Sequence, residues 1–174
     1  EAYDYMSGIL YKDKKPKKIE IKQEKKEEVK EEKQIENKPI NEYIGYLNIP
    51  KINLNKGFLD INSPNNTVEK NIQVIEGSDY PDKEKGNLII AGHSGTGWKA
   101  FFNDLYKLEQ GDTLIVSYKE HKYIYKIVNI YQQPKIGQVA IYRNYDRQTL
   151  TLITCTNSSD KDQTIYISEL KSIE

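Results

Sequence analysis

In 174 residues this chain has one cysteine, one tryptophan and two arginines, Arg143 and Arg147. A single thiol cannot close an internal disulfide, so stability rests on a packed core. Nearly all the positive charge is lysine, which lacks the planar fork that grips phosphate or carboxylate at two points. The 26 basic and 26 acidic residues cancel. No global field therefore holds a nucleic acid or an anionic membrane, and neither is expected as a partner. No apolar run approaches the roughly 18 residues needed to span a bilayer, and no signal peptide is recognisable.

The remaining composition, 37% hydrophobic and 30% charged, suits one domain with a true core. Charge is unevenly spread. From Lys12 to Lys38 the chain is mostly Lys and Glu, with Ile19, Ile21, Val29 and Ile35 as isolated apolar points. That is too little to bury a face. Residues 1–40 are accordingly expected to be an N-terminal extension, a charged stalk rich in helix formers, and 41–174 the folded domain.

After Pro39 short β-like runs alternate with turn residues, the texture of a barrel or sandwich. Expected strands include 43–49, 51–55, 57–61, 86–93, 112–118, 122–131, 149–155 and 163–170, with 134–147 as a long connection. A short helix is expected over Thr67–Asn71. A second is expected over Trp98–Leu108, where Phe101, Leu105 and Leu108 fall on one helical face. The run Leu88-Ile89-Ile90-Ala91 is continuously apolar, as in a strand covered on both faces. In Thr149–Cys155, Leu150 and Leu152 share one face. Thr149, Thr151, Ile153 and Cys155 share the other, expected to be open and polar.

Two residues carry chemistry. Cys155 ends one strand and meets the turn-forming run Thr156-Asn157-Ser158-Ser159-Asp160, at a rim that a substrate can reach. His93 ends another and is followed by Ser94-Gly95-Thr96-Gly97, which leaves space beside the ring. A thiolate is the reactive form of cysteine, and an imidazole can activate it and later protonate a leaving amine. His121, in a hairpin turn, reads as a surface residue. Other chemistries fit poorly. Gly92-His93-Ser94-Gly95-Thr96 departs from a serine nucleophile elbow at Thr96, no Lys-Ser/Thr follows the glycines to make a phosphate loop, and two histidines with one cysteine have no zinc spacing. No metal or cofactor is expected.

Thr151-Leu152-Ile153-Thr154-Cys155 resembles the signature strand of sortases, the cysteine transpeptidases of Gram-positive cell surfaces, and Ala91-Gly92-His93-Ser94 resembles their histidine segment. Tyr43–Pro50 resembles the opening strand, and Phe101–Leu105 with Gly111-Asp112 resembles the passage after the histidine; together the likeness runs from Asn41 to Leu170. It implies a closed β-barrel of about eight strands with a few short helices. It also implies a two-step acyl transfer. Cys155 attacks a carbonyl in an LPXTG-type sorting signal to form a thioester, and an amine of a peptidoglycan precursor or a pilin lysine resolves it. His93 acts as acid and then base, and Thr154 and Ser94 help bind the peptide. The implied location is the outer face of the cell membrane, through an anchor outside this sequence, with the stalk as spacer. One departure stands out: sortases carry an arginine on the strand after the cysteine, and none follows Cys155 here. Gln163, near that position, is the candidate donor to the carbonyl oxygen, with Arg143 as a second. Arg147, eight residues before Cys155, would sit about 26 Å away along an extended strand. The rival reading is a catalytically weak sortase-like barrel that binds a peptide or surface protein.

Overall fold

The computed structural model describes residues 42–95 and 97–174. The stalk, and with it the expected boundary near residue 40, lies outside the described residues. Eight strands make up the domain: β1 (Gly45–Ile49), β2 (Leu54–Phe58), β3 (Gln73–Val74), β4 (Asn87–Ala91), β5 (Thr113–Tyr118), β6 (His121–Pro134), β7 (Thr149–Cys155) and β8 (Asp162–Ile173). They form one sheet in the order β2-β1-β5-β6-β8-β7-β4-β3. The edges β2 and β3 are bridged by Asn71, whose Nδ2 donates to Gly57 O at 2.9 Å, so the sheet curls into a nearly closed barrel. A barrel's advantage is that few strand edges remain open to other chains. At β3, Asn66 pairs like a strand, donating to Val74 O at 2.8 Å and accepting from Val74 N at 2.7 Å.

The core has two compartments. Inside the barrel, Leu47, Phe58, Leu88, Ile90, Leu114, Val116, Tyr125, Leu150 and Leu152 pack together. Outside the β4–β7–β8 wall, Ile89, Ala91, Ile153, Ile165 and Ile167 are covered by Val68, Ile75, Val139 and Ile141. The last two come from the long connection between β6 and β7. This corrects one expectation: the second face of β7 is not open, since Thr149, Thr151 and Ile153 are all buried. β4 is buried at every position, and apolar from Leu88 to Ala91 for the same reason.

Neither expected helix exists as such. Over 98–108 there are turns and one 3-10 turn, Leu105–Lys107. The amide of Phe102, which a helix would direct to residue 98, instead donates to His93 O at 2.9 Å. Residues 67–71 make a single turn, with Asn71 N donating to Thr67 O at 2.8 Å. The hairpin between β5 and β6 is tighter than expected. Its loop is Lys119-Glu120, both at positive φ (44° and 66°), the geometry whose twist matches that of paired strands. His121 falls just inside β6 and is exposed.

Candidate active site

β4 and β7 run parallel, with Asn87 opposite Thr149 and Ala91 opposite Ile153. The ladder continues past β4: Gly92 N donates to Ile153 O at 3.1 Å. His93 therefore follows the end of β4 at the same end of the pair at which Cys155 ends β7. Two hydroxyls hold this end. Thr154 Oγ1 donates to Gly92 O at 2.9 Å, and Ser94 Oγ donates to Cys155 O at 3.0 Å. The histidine segment and the cysteine strand are thus tied from both sides.

The small residue before His93 has a steric cause. A Cβ on Gly92 would lie 2.7 Å from the ring of Phe102, a fully buried side chain whose amide also fixes the His93 carbonyl. With its backbone fixed, His93 is exposed, and Cys155 is partly exposed. Among the described residues no hydrogen bond engages either reactive side chain. The imidazole borders a pocket of about 340 Å³ that Ser94, Trp98, Lys99 and Ala100 also line.

The other candidates divide clearly. Gln163 is directly opposite Cys155 in the antiparallel β7–β8 pair. Cross-strand partners point to the same face with Cβ atoms about 5 Å apart; Gln163 is buried there, 1% exposed. Burying a neutral amide costs much less than burying a guanidinium, which needs a counter-charge. Thr154 is buried and shares the barrel-facing side of Leu150 and Leu152, with its hydroxyl on the Gly92 carbonyl. Ser94 likewise grips the backbone of Cys155. Arg143 is at the wrong end. Its Nη1 donates to Thr149 Oγ1 at 3.1 Å, Lys85 O at 3.2 Å and Arg147 O at 3.3 Å, and Thr149 starts the strand that Cys155 ends, about 20 Å away. Arg147 bonds Glu169 at 3.0 Å, again far from the thiol.

The sequence reading missed Trp98 as part of this region. It is 85% exposed and flanks the His93 pocket; its signal was a large aromatic ring directly after Gly97, at the start of the expected helix and apart from the three residues that define its apolar face. No group of metal-ligating side chains occurs among the described residues, and none of the described helices is long and apolar enough to cross a membrane.

Fold and site together define a mainly β barrel with a cysteine and a histidine at the ends of adjacent parallel strands. The family model described as "Sortase domain" matches residues 47–170, and the chain belongs to the sortase family. Solved structures agree. Sortase A from Corynebacterium diphtheriae superposes with a TM-score of 0.64 at 19% identity, over 76% of this chain and 62% of that one. Sortase C1 from Streptococcus agalactiae gives 0.63 at 26% identity, over 75% and 68%. A Clostridium perfringens sortase D5 transpeptidase gives 0.58 at 27% identity, over 75% and 79%. This chain therefore spans about three-fifths of the first of these. Among curated proteins no relative matches it in sequence.

Proposed function

We propose that the protein is a cysteine transpeptidase that cleaves a C-terminal sorting signal of LPXTG type and joins the acyl fragment to an amine. The observation that carries this reading is the convergence of Cys155 and His93 at one end of the β4–β7 pair. In the first step the Cys155 thiolate attacks the scissile carbonyl, the C–N bond breaks, and His93 gives its proton to the leaving amine. In the second, the acceptor nitrogen attacks the thioester, the C–S bond breaks, and His93 takes the proton. Gln163 donates through its amide to the carbonyl oxygen, where negative charge develops. The acceptor is an amine of a peptidoglycan precursor or a pilin lysine, and the site of action is the cell surface.

The neutral Gln163 in place of an arginine favours a second reading, a barrel that binds sorting-type peptides without turning them over. Charge-assisted bonds are about twice as strong as neutral ones. Incubation with a library of sorting-type peptides separates the two. A covalent adduct on Cys155 by mass spectrometry, lost in Cys155→Ala, is the expected result. Absence of adduct across the library overturns the transpeptidase and leaves the binding module.

A further inference from the structure

Beyond the His93 pocket lies a second one of about 440 Å³, lined by Tyr43, Asn65, Lys70, Asn71, Trp98 and Lys99. The two adjoin, with Trp98 and Lys99 as their common wall. No acidic side chain lines either pocket among the described residues. Elsewhere on the surface Lys51, Lys83, Lys107 and Lys119 each sit on a carboxylate. Among the described residues the two pocket lysines do not. Lys70 Nζ donates to Asn65 Oδ1 at 3.1 Å, a neutral oxygen, and Lys99 Nζ lies 4.6 Å from the centre of the Trp98 ring. Two lysines thus line one cavity with no carboxylate among the described residues paired to either, beside an aromatic residue left 85% open to solvent.

On the proposed reading, the amine that resolves the thioester must give its proton to His93 and so arrives on the His93 side. Whatever part of that acceptor extends beyond the reacting nitrogen meets Trp98 and then the lysines. We propose that this second pocket is an acceptor subsite that takes an amine carrying a negatively charged group, a carboxylate or a phosphate. Lys70 and Lys99 hold the anion, and the Trp98 face packs on the chain that links it to the amine. The inference rests on the transpeptidase reading for the identity of its ligand as acceptor, but the site itself is testable without chemistry.

Trp98 is the only tryptophan in the chain, so its emission reports this site alone. Cys155→Ala protein is titrated with diglycine, phosphoethanolamine and the uncharged diglycinamide. Saturable quenching by the anionic amines, with diglycinamide about tenfold weaker, is the expected result. Lys70→Gln, which leaves the Lys99–Trp98 contact in place, should weaken the anionic ligands by about fivefold and leave diglycinamide unchanged. The binding should also fade as salt rises. The tighter of diglycine and phosphoethanolamine identifies carboxylate or phosphate as the preferred anion. Lack of saturation, equal binding of diglycine and diglycinamide, or indifference to Lys70→Gln overturns the subsite. Its failure is distinguishable from failure of the proposed function: the Cys155 adduct reads acylation, and the Trp98 titration reads acceptor binding.

Discussion

The two ends of the β4–β7 pair are built from the same two parallel strands and treat their polar groups in opposite ways. At the starting end, Asn87 Oδ1 accepts from both Thr149 Oγ1 and Thr151 Oγ1 at 2.9 Å, and Arg143 closes over Thr149. All three uncharged residues are buried. Side chains there bond to side chains, and the result is a buried polar seam. At the finishing end the hydroxyls of Thr154 and Ser94 are spent on backbone carbonyls. That fixes the main chain and leaves the sulfur and the imidazole available. Parallel pairing makes the contrast possible, because both strands end on the same side of the sheet, so their last residues share one rim.

The comparison breaks most sharply at His93. Replacing it with alanine removes the acid–base group while disturbing only an exposed side chain. Acylation of Cys155 by a sorting-type peptide should fall by roughly 10²- to 10⁴-fold, with thermal stability altered by no more than about 0.5 kcal/mol. Single-turnover adduct formation followed by mass spectrometry, beside a thermal melt, checks both. A large fall in the melting temperature would mean that His93 belongs to the scaffold.

Next in size is Gln163. Loss of one donor to a developing oxyanion reduces turnover by about 10²-fold, so Gln163→Ala should slow acylation to that extent while a sorting-type peptide still binds. Unchanged kinetics would remove Gln163 from the mechanism and leave its place opposite Cys155 as strand packing alone.

At the locked end the expected effect is on stability. Asn87→Ala leaves two buried threonine hydroxyls without their acceptor, at a cost of about 2 kcal/mol, or a melting temperature lower by about 6 °C. Acylation measured well below that temperature should be unchanged. Alkaline pH attacks the scaffold as a whole. Burial pushes the phenols of Tyr125, Tyr131 and Tyr166 up to about 12, above an unfolded value near 10. The folded state thus retains protons that the unfolded chain gives up. The stability these rings contribute is fully present below pH 10 and is lost as pH rises towards 12. A melt series from pH 9 to pH 12 should show that decline, and a flat profile would contradict the burial of these rings.

How much of this was legible in the sequence follows the range of the interactions. β4 was readable because a continuous apolar run announces a strand covered on both sides, and β7 because its leucines alternate with β-branched residues. Their ends were readable because Gly and Asn-Ser-Ser turns follow at once. The rim position of Cys155 and His93 came with them. The helix expected over Trp98–Leu108 failed because its spacing was satisfied by another arrangement: the Phe102 amide serves the His93 carbonyl, and its ring fills the space over Gly92. The second face of β7 was misread because Val139 and Ile141, which cover it, come from a connection with no local pattern pointing to that wall. Arg143 was a candidate on residue type alone, and only the register shows it at Thr149. Gln163 opposite Cys155 was suggested by position after the cysteine, and the antiparallel pairing turns that into adjacency.

The smallest expected effect tests whether backbone fixation at the open end has a functional consequence. Ser94 Oγ holds the carbonyl of Cys155, one of two hydroxyl ties between the histidine segment and the β7 end. Ser94→Ala deletes a single neutral hydrogen bond, worth about 1 kcal/mol, at a half-buried site where water can replace it. The melting temperature should therefore barely move. If the tie serves positioning, acylation should slow by about fivefold, through the maximal rate rather than peptide affinity, and Ser94→Thr should restore most of it because the hydroxyl is kept. A change confined to affinity would instead place Ser94 in direct contact with the peptide. The open end would then differ from the locked end in having a hydroxyl that serves substrate as well as main chain.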